Sequence, residues 1–291
     1  MQDPIFDPRA VRLHRERAAG SMERVRGVLA EVADRLLDRL DDTTMRFSQA
    51  LDLGGRGVVG PMLRARGIAT VTCDPSSRVA GADRPAVAAD PAFLPFAPGS
   101  FDLVVANLSL HWTDDLPGAL IQLRQVLRPD GLLLASLPAL GTLQELRRAL
   151  AQTESDLTGG VSPRVSPFAG LPDCASLLQR AGFALPVVDG DSISLRYADP
   201  LALLLDLRAA GEANALHQRD RRTPSRLLFP QALGLMPQED GRTVATLKLA
   251  MLTGWAPGPS QPKPVARGSG TVRLGDALRS PSLIPGSMDQ S

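Results

Sequence analysis

Between residues 47 and 137 short apolar runs alternate with stretches of helical spacing, and this alternation constrains the chain more than any other feature. Phe47 to Leu53 reads as a strand, Val58 to Arg66 as a short helix, Ile68 to Cys73 as a second strand and Ala86 to Ala89 as a third. Residues 101–106 read as a fourth strand, 131–137 as a fifth, and 116–127 as a helix with Leu116, Leu120, Leu123 and Leu127 along one side. Short buried strands linked by amphipathic helices pair in parallel and need cover on both faces. The expected fold is α/β, a doubly wound sheet.

The flanks read differently. In residues 9–40, Val25, Val28, Leu29, Val32, Leu36 and Leu40 recur at three- and four-residue spacing, which predicts a leading helix or helix pair over a segment 1–45. The main domain is expected over 46–255. Its second half predicts a helix from Thr142 to about Gln152, a polar loop at 159–168 and a helix at 173–181 ending in Gly182. Val187-Val188 and Ile193 to Tyr197 then read as one bent strand or two, and 243–255 as a final strand. Residues 200–240 read as mainly helical, a lid insertion. Residues 256–291 are dense in Pro, Gly and Ser and are expected to be a strap with a disordered end.

Composition excludes some functions. A net charge of +1 gives no basic field to neutralise phosphates, so nothing here supports nucleic-acid binding. Cys73 and Cys174 lack metal-ligand spacing, as do the three histidines, so no metal site is expected. No apolar run is long enough for an integral membrane segment, and the N-terminus lacks a signal or transit pattern, so the expected location is cytoplasmic.

Open α/β sheets bind ligands at the carboxyl ends of their strands. After the first strand come Asp52, Gly54, Gly55 and Gly57, suited either to close approach of a ligand to backbone or merely to a tight turn. Asp74 follows the second strand, twenty-two residues after Asp52, where a carboxylate accepts ribose hydroxyls; alone, it reads equally as a turn residue or helix cap. Asp90 ends the third strand, either accepting from an adenine amino group with Phe93 or Leu94 shielding the ring, or simply opening a loop. Asn107, Ser109 and His111, with Trp112, follow the fourth strand and are the candidates for a reacting centre. Histidine as general base competes there with histidine and tryptophan as packing groups.

In this order the residues resemble the class I S-adenosylmethionine-dependent methyltransferases, with Leu94-Pro95-Phe96, Phe101-Asp102-Leu103-Val104 and Leu127-Arg128-Pro129-Asp130-Gly131 completing the signature over about 45–140. The resemblance implies a Rossmann-like fold and S-adenosyl-L-methionine as cofactor. Asp52 and the glycines would face its methionine moiety, Asp74 and Pro75 its ribose, and Ala89 and Asp90 its adenine, with Asn107 and Leu108 bordering the site. Asn107 to Trp112, Gly159-Gly160-Val161-Ser162-Pro163, Ser166-Pro167-Phe168, Gly211-Glu212-Ala213-Asn214, Gly254-Trp255 and Pro264 to Ser269 resemble the complex I assembly factor 5 family and its bacterial relatives. Malonyl carrier-protein methyltransferases are similar in the first half. The resemblance implies methylation of a protein substrate in complex I assembly, a partner that would also bring the protein to the inner membrane as a peripheral guest. The alternatives are an arginine hydroxylase that binds the same cofactor and a non-catalytic assembly factor. One departure stands out: the usual loop is acid-x-Gly-x-Gly-x-Gly, and Asp52 to Gly57 is one residue shorter.

Overall fold

A computed structural model describes residues 4–261. The chain opens with helices α1 (Pro8–Ala18) and α2 (Arg26–Leu37), joined by a 3-10 turn at Met22–Val25. Asp7 starts α1 by accepting from the Arg9 and Ala10 amides, which otherwise lack helical partners. Then β1 (Gln49–Leu53), α3 (Val59–Ala65), β2 (Ala69–Asp74), α4 (Ser77–Ala80), β3 (Ala86–Ala88) and β4 (Phe101–Asn107) alternate, followed by α5 (Leu116–Val126) and β5 (Leu127–Pro138). The second half contributes α6 (Gln144–Thr158), α7 (Leu171–Arg180), β6 (Ala184–Tyr197), α8 (Leu201–Ala209), α9 (Leu228–Gly234), β7 (Gln238–Glu239) and β8 (Arg242–Trp255).

The strands form one sheet in the order β3-β2-β1-β4-β5-β8-β6, with β7 on β8. Neighbours from β3 through β5 are parallel, and β8 runs antiparallel to both β5 and β6. Successive side chains on a strand face opposite sides. Accordingly Leu103, Val105, Leu132 and Leu134 join Leu29, Val32, Leu36 and Leu63 in one apolar layer, while Val104, Ala106, Leu133 and Ala135 join Leu120, Leu123, Cys174 and Leu178 in the other. The doubly wound α/β expectation is met, and both thiols are free and buried.

One open alternative is decided and two expectations need correction. Residues 184–197 are one strand, with a register shift between Ala184 and Val187, and α6 runs on to Thr158 instead of ending near Gln152. The region 200–240 is not mainly helical, since only α8 and α9 lie in it. Gly211 takes a positive φ of 78° and packs against Arg15 and Ala18 of α1, closing off the helix. The chain beyond it is held by the N-terminal segment instead: Asp7 donates its amide to the Ala215 carbonyl, His217 to that of Ile5, and Phe6 bridges Leu216. Backbone groups satisfied by the N-terminal segment have no need of a helix.

Past β8, Ala256 donates to the Gly131 carbonyl and accepts from the Asp130 amide, which carries the chain onto the start of β5. The expected strap from residue 262 on, Pro264 to Ser269 included, lies outside the described residues. Among the described residues no helix is long and apolar enough to cross a membrane.

Candidate functional site

The carboxyl ends of β2, β1 and β4 lie side by side in the sheet, met by Arg15 of α1 beside Asp74 and by the Leu29 carbonyl of α2 at Asn107. Asp52 closes β1 fully buried, its Oδ2 accepting from the Gly60 amide at 2.9 Å while Oδ1 has no hydrogen-bond partner. Burial drives its pKa up to about 7, because a charged carboxylate loses its water there. Gly55 is required by this side chain: a Cβ at that position would overlap the carboxylate. Gly54, at a φ of +71°, leaves room for Ser109, and Gly57 also has a positive φ. Each glycine therefore has a local reason inside the turn.

Asp74 is fully buried at the end of β2. Its Oδ1 accepts from the Ser76 amide at 2.8 Å, the turn role weighed above; Ser76, not Asp74, caps α4. Oδ2 has no hydrogen-bond partner and faces Arg15 Nη1 at 3.9 Å. Pro75 is half-buried beside it, and Ala89 joins β3 to β2 by donating to the Asp74 carbonyl. Asp90 is exposed and accepts from the Ala92 amide, which is the loop-opening geometry. Phe93 is 78% exposed and shields nothing, whereas Leu94 and Phe96 pack onto the core.

The three residues expected to border a reacting centre separate. Asn107 is spent on structure, donating to the Leu29 carbonyl and accepting from Ser136 Oγ. Ser109 donates to the Leu53 carbonyl at 2.6 Å. Leu108, at a positive φ of 48°, and His111 reach a cavity of about 510 Å³ whose wall includes Leu29, Trp112, Val165, Phe168, Leu203 and Glu212. Asp52, Asp74 and Asp90 are not part of that wall.

Arg56 links the two places. It sits inside the glycine turn at a φ of +53° and donates to the Asn107 and Leu108 carbonyls at 3.0 and 2.8 Å. Its Nη1 faces Glu212 Oε1 at 3.4 Å, on the wall of the cavity. Burial and the nearby Arg15 guanidinium bring its pKa down to about 10, still charged at neutral pH. Glu212 Oε2 in turn accepts from His111 Nε2 and Trp112 Nε1, each at 2.7 Å.

Known proteins share this arrangement of elements. Residues 51–135 match the model of a methyltransferase domain. The human mitochondrial arginine-hydroxylase NDUFAF5 is 37% identical over 269 residues, covering 88% of this chain and 77% of its own length, and the zebrafish (Danio rerio) protein is 38% identical over 84% and 80%. The chain belongs to the NDUFAF5 family of class I methyltransferase-fold proteins. A malonyl-[acyl-carrier protein] O-methyltransferase of Halorhodospira halophila is also related to this family member, 34% identical over 92% of this chain and 94% of its own. Among solved structures, the YcgJ protein of Bacillus subtilis shares the fold, with a TM-score of 0.52 at 12% identity over 77% of this chain and 98% of that one.

The family implies S-adenosylmethionine, and the donor set fits it. Asp74 Oδ2 and Asp52 Oδ1 are buried acceptors without a hydrogen-bond donor, of the kind that ribose hydroxyls and an α-ammonium satisfy. Arg15 packs over Asp74, so access to that oxygen requires the guanidinium to give way. Sequence reasoning missed Arg15, Arg56 and Glu212 as site residues. Arg56 stood between the singled-out glycines and Glu212 within the 211–214 motif, whereas Arg15 carries no local signal on an arginine-rich helix.

Proposed function

We propose that this methyltransferase-fold protein binds S-adenosylmethionine and acts on a protein substrate in respiratory complex I assembly. The observation that carries this reading is Arg56, which belongs to the glycine turn and also lines the cavity beside Glu212, His111 and Trp112. It makes the turn and the cavity neighbours, as a cofactor and its acceptor must be.

On this reading Asp52 and the Gly54, Gly55 and Gly57 backbone take the methionine end, Asp74 and Pro75 the ribose, and Ala89 and Asp90 the adenine edge. Asn107 and Leu108 form the floor between cofactor and cavity. Bound S-adenosylmethionine would supply an electrophilic methyl group. The chain's own residues orient the acceptor, exclude water and handle its proton. The same reading has the protein work in the cytoplasm and meet the inner membrane through its partner.

A second reading, arginine hydroxylation with the same cofactor site, is favoured by the human and zebrafish relatives, which are arginine hydroxylases; scaffolding is the non-catalytic alternative. Calorimetric titration with S-adenosylmethionine, with NAD as control, tests the cofactor. Mass spectrometry of the captured protein partner, before and after incubation, then separates a methyl from an oxygen increment. Absence of binding to either cofactor would leave scaffolding.

A further inference from the structure

Helix α8, at the edge of the cavity, carries leucine on two opposite sides. Leu203 is sealed and packs with Leu204 and Leu207 on the apolar cluster built from α6, α9 and β8. Leu201 and Leu205 are 48% and 43% exposed, and with exposed Arg208 they recur at i, i+4 and i+7, one stripe along the helix. A helix at a protein surface turns its polar residues outward, and one that is apolar on opposite sides is covered on both. Helix α8 is covered on one. All three stripe residues also line the cavity, so the stripe is continuous with its mouth.

Charge selects what fits there. The two acids on the described wall are engaged already, Asp206 by Arg24, and Glu212 by Arg56, His111 and Trp112. Arg164 is paired in turn with Glu154. Arg208 has no ion pair among the described residues. A cationic group at the mouth would meet this guanidinium and find no free carboxylate, whereas an acidic group would gain a partner.

Size and shape narrow the occupant further. At about 30 Å³ per water-sized group, the cavity of about 510 Å³ holds roughly 17 such groups, which is several side chains and not one. A single apolar chain would fill that space and leave Leu201 and Leu205 open at the surface. A polypeptide segment fills the cavity and covers the stripe together.

We infer that α8 and the cavity mouth form the docking face for the protein substrate, taking a segment whose apolar side chains enter the cavity and cover Leu201 and Leu205 and whose acidic residue pairs with Arg208. The inference deepens the proposed function and rests on it for the existence of a protein substrate. It adds the class of the segment, apolar with a flanking acid, laid in a groove beside a helix.

The test uses the full-length protein without cofactor and two dye-labelled synthetic peptides. Both carry leucines at i, i+3, i+4 and i+7, one with glutamates between them and the other with arginines. Fluorescence anisotropy should show saturable binding of the glutamate peptide and about tenfold weaker binding of the arginine peptide. Leu201→Ser combined with Leu205→Ser should weaken the glutamate peptide by about tenfold. Its unfolding midpoint should stay at the wild-type value, because both side chains are exposed. Arg208→Glu should weaken the glutamate peptide about fivefold and improve the arginine peptide.

Binding of neither peptide overturns the inference, and so do equal binding of the two, preference for arginine, or an affinity that the leucine pair leaves unchanged. Labelled dodecanoate that binds where neither peptide does would make the cavity a lipid-chain site. Sedimentation that shows a dimer dissolved by the leucine pair would make the stripe a contact between copies of this chain. Either result also overturns it. Calorimetry with S-adenosylmethionine is read separately, so failure of the cofactor to bind counts against the proposed function while the peptides still decide the docking face.

Discussion

Arg15 on α1 places its Nη1 3.9 Å from Oδ2 of Asp74 at the end of β2, with both side chains sealed from solvent. That separation is too long for a hydrogen bond, and neither atom has another partner. Two buried charges are thus only half compensated, an arrangement that a ligand with hydroxyl groups would complete.

Removing the carboxylate should separate binding from folding. Asp74→Ala leaves Arg15 buried without its counter-charge, and we expect a loss of about 3 kcal/mol in stability, read by urea unfolding. Asp74→Asn should cost less in stability yet still abolish S-adenosylmethionine binding in calorimetry. Wild-type affinity in Asp74→Asn would refute the placement of the ribose.

The same pair predicts a kinetic effect. If Arg15 must move before Asp74 is reached, Arg15→Met should bind S-adenosylmethionine with a faster association rate in stopped-flow fluorescence. A rate equal to or below the wild type would take Arg15 out of the entry path.

Gly54 lies where backbone conformation and packing coincide. Its φ is +71°, and a Cβ would overlap Ser109 Cβ. Gly54→Ala should therefore lose on the order of 2 to 3 kcal/mol, seen as a lowered denaturation midpoint. Gly57→Ala shares the positive φ but meets no atom within 4 Å, so it should lose clearly less.

Asp52 predicts a pH dependence with a definite sign. Its folded pKa is raised to about 7 from an ordinary 3.8, so the folded state keeps the proton longer than the unfolded chain. The associated stability is fully present below pH 3.8 and is lost as pH rises to about 7, a change on the order of 4 kcal/mol. Asp52→Asn can still accept from the Gly60 amide, and its stability should be flatter across that window. Chemical denaturation at several pH values decides this; parallel curves for the two proteins would mean that Asp52 titrates normally.

Much of this protein was legible because its signals are local. An apolar run of strand length followed by helical spacing is readable within ten or so residues, and it gave five parallel strands in their places. Asp52 and Asp74 stood out the same way, at the ends of strands, and the structure buries both there. The linear pattern does not reveal which distant groups fill the remaining space. The Asn107 side chain, a candidate for the reacting centre, is consumed by Leu29 and Ser136, and Asp90, proposed for the adenine edge, also holds its own loop through the Ala92 amide.

What the sequence determined by itself was the doubly wound sheet and the family, because period and motif order are properties of neighbouring residues. The tertiary structure alone decided that Glu212 meets His111 and Arg15 meets Asp74, and that the chain around Ala215 to His217 pairs with the N-terminal segment. Those outcomes depend on which buried charges and backbone groups find partners across the fold, and pairing at that range leaves no periodic trace in the chain.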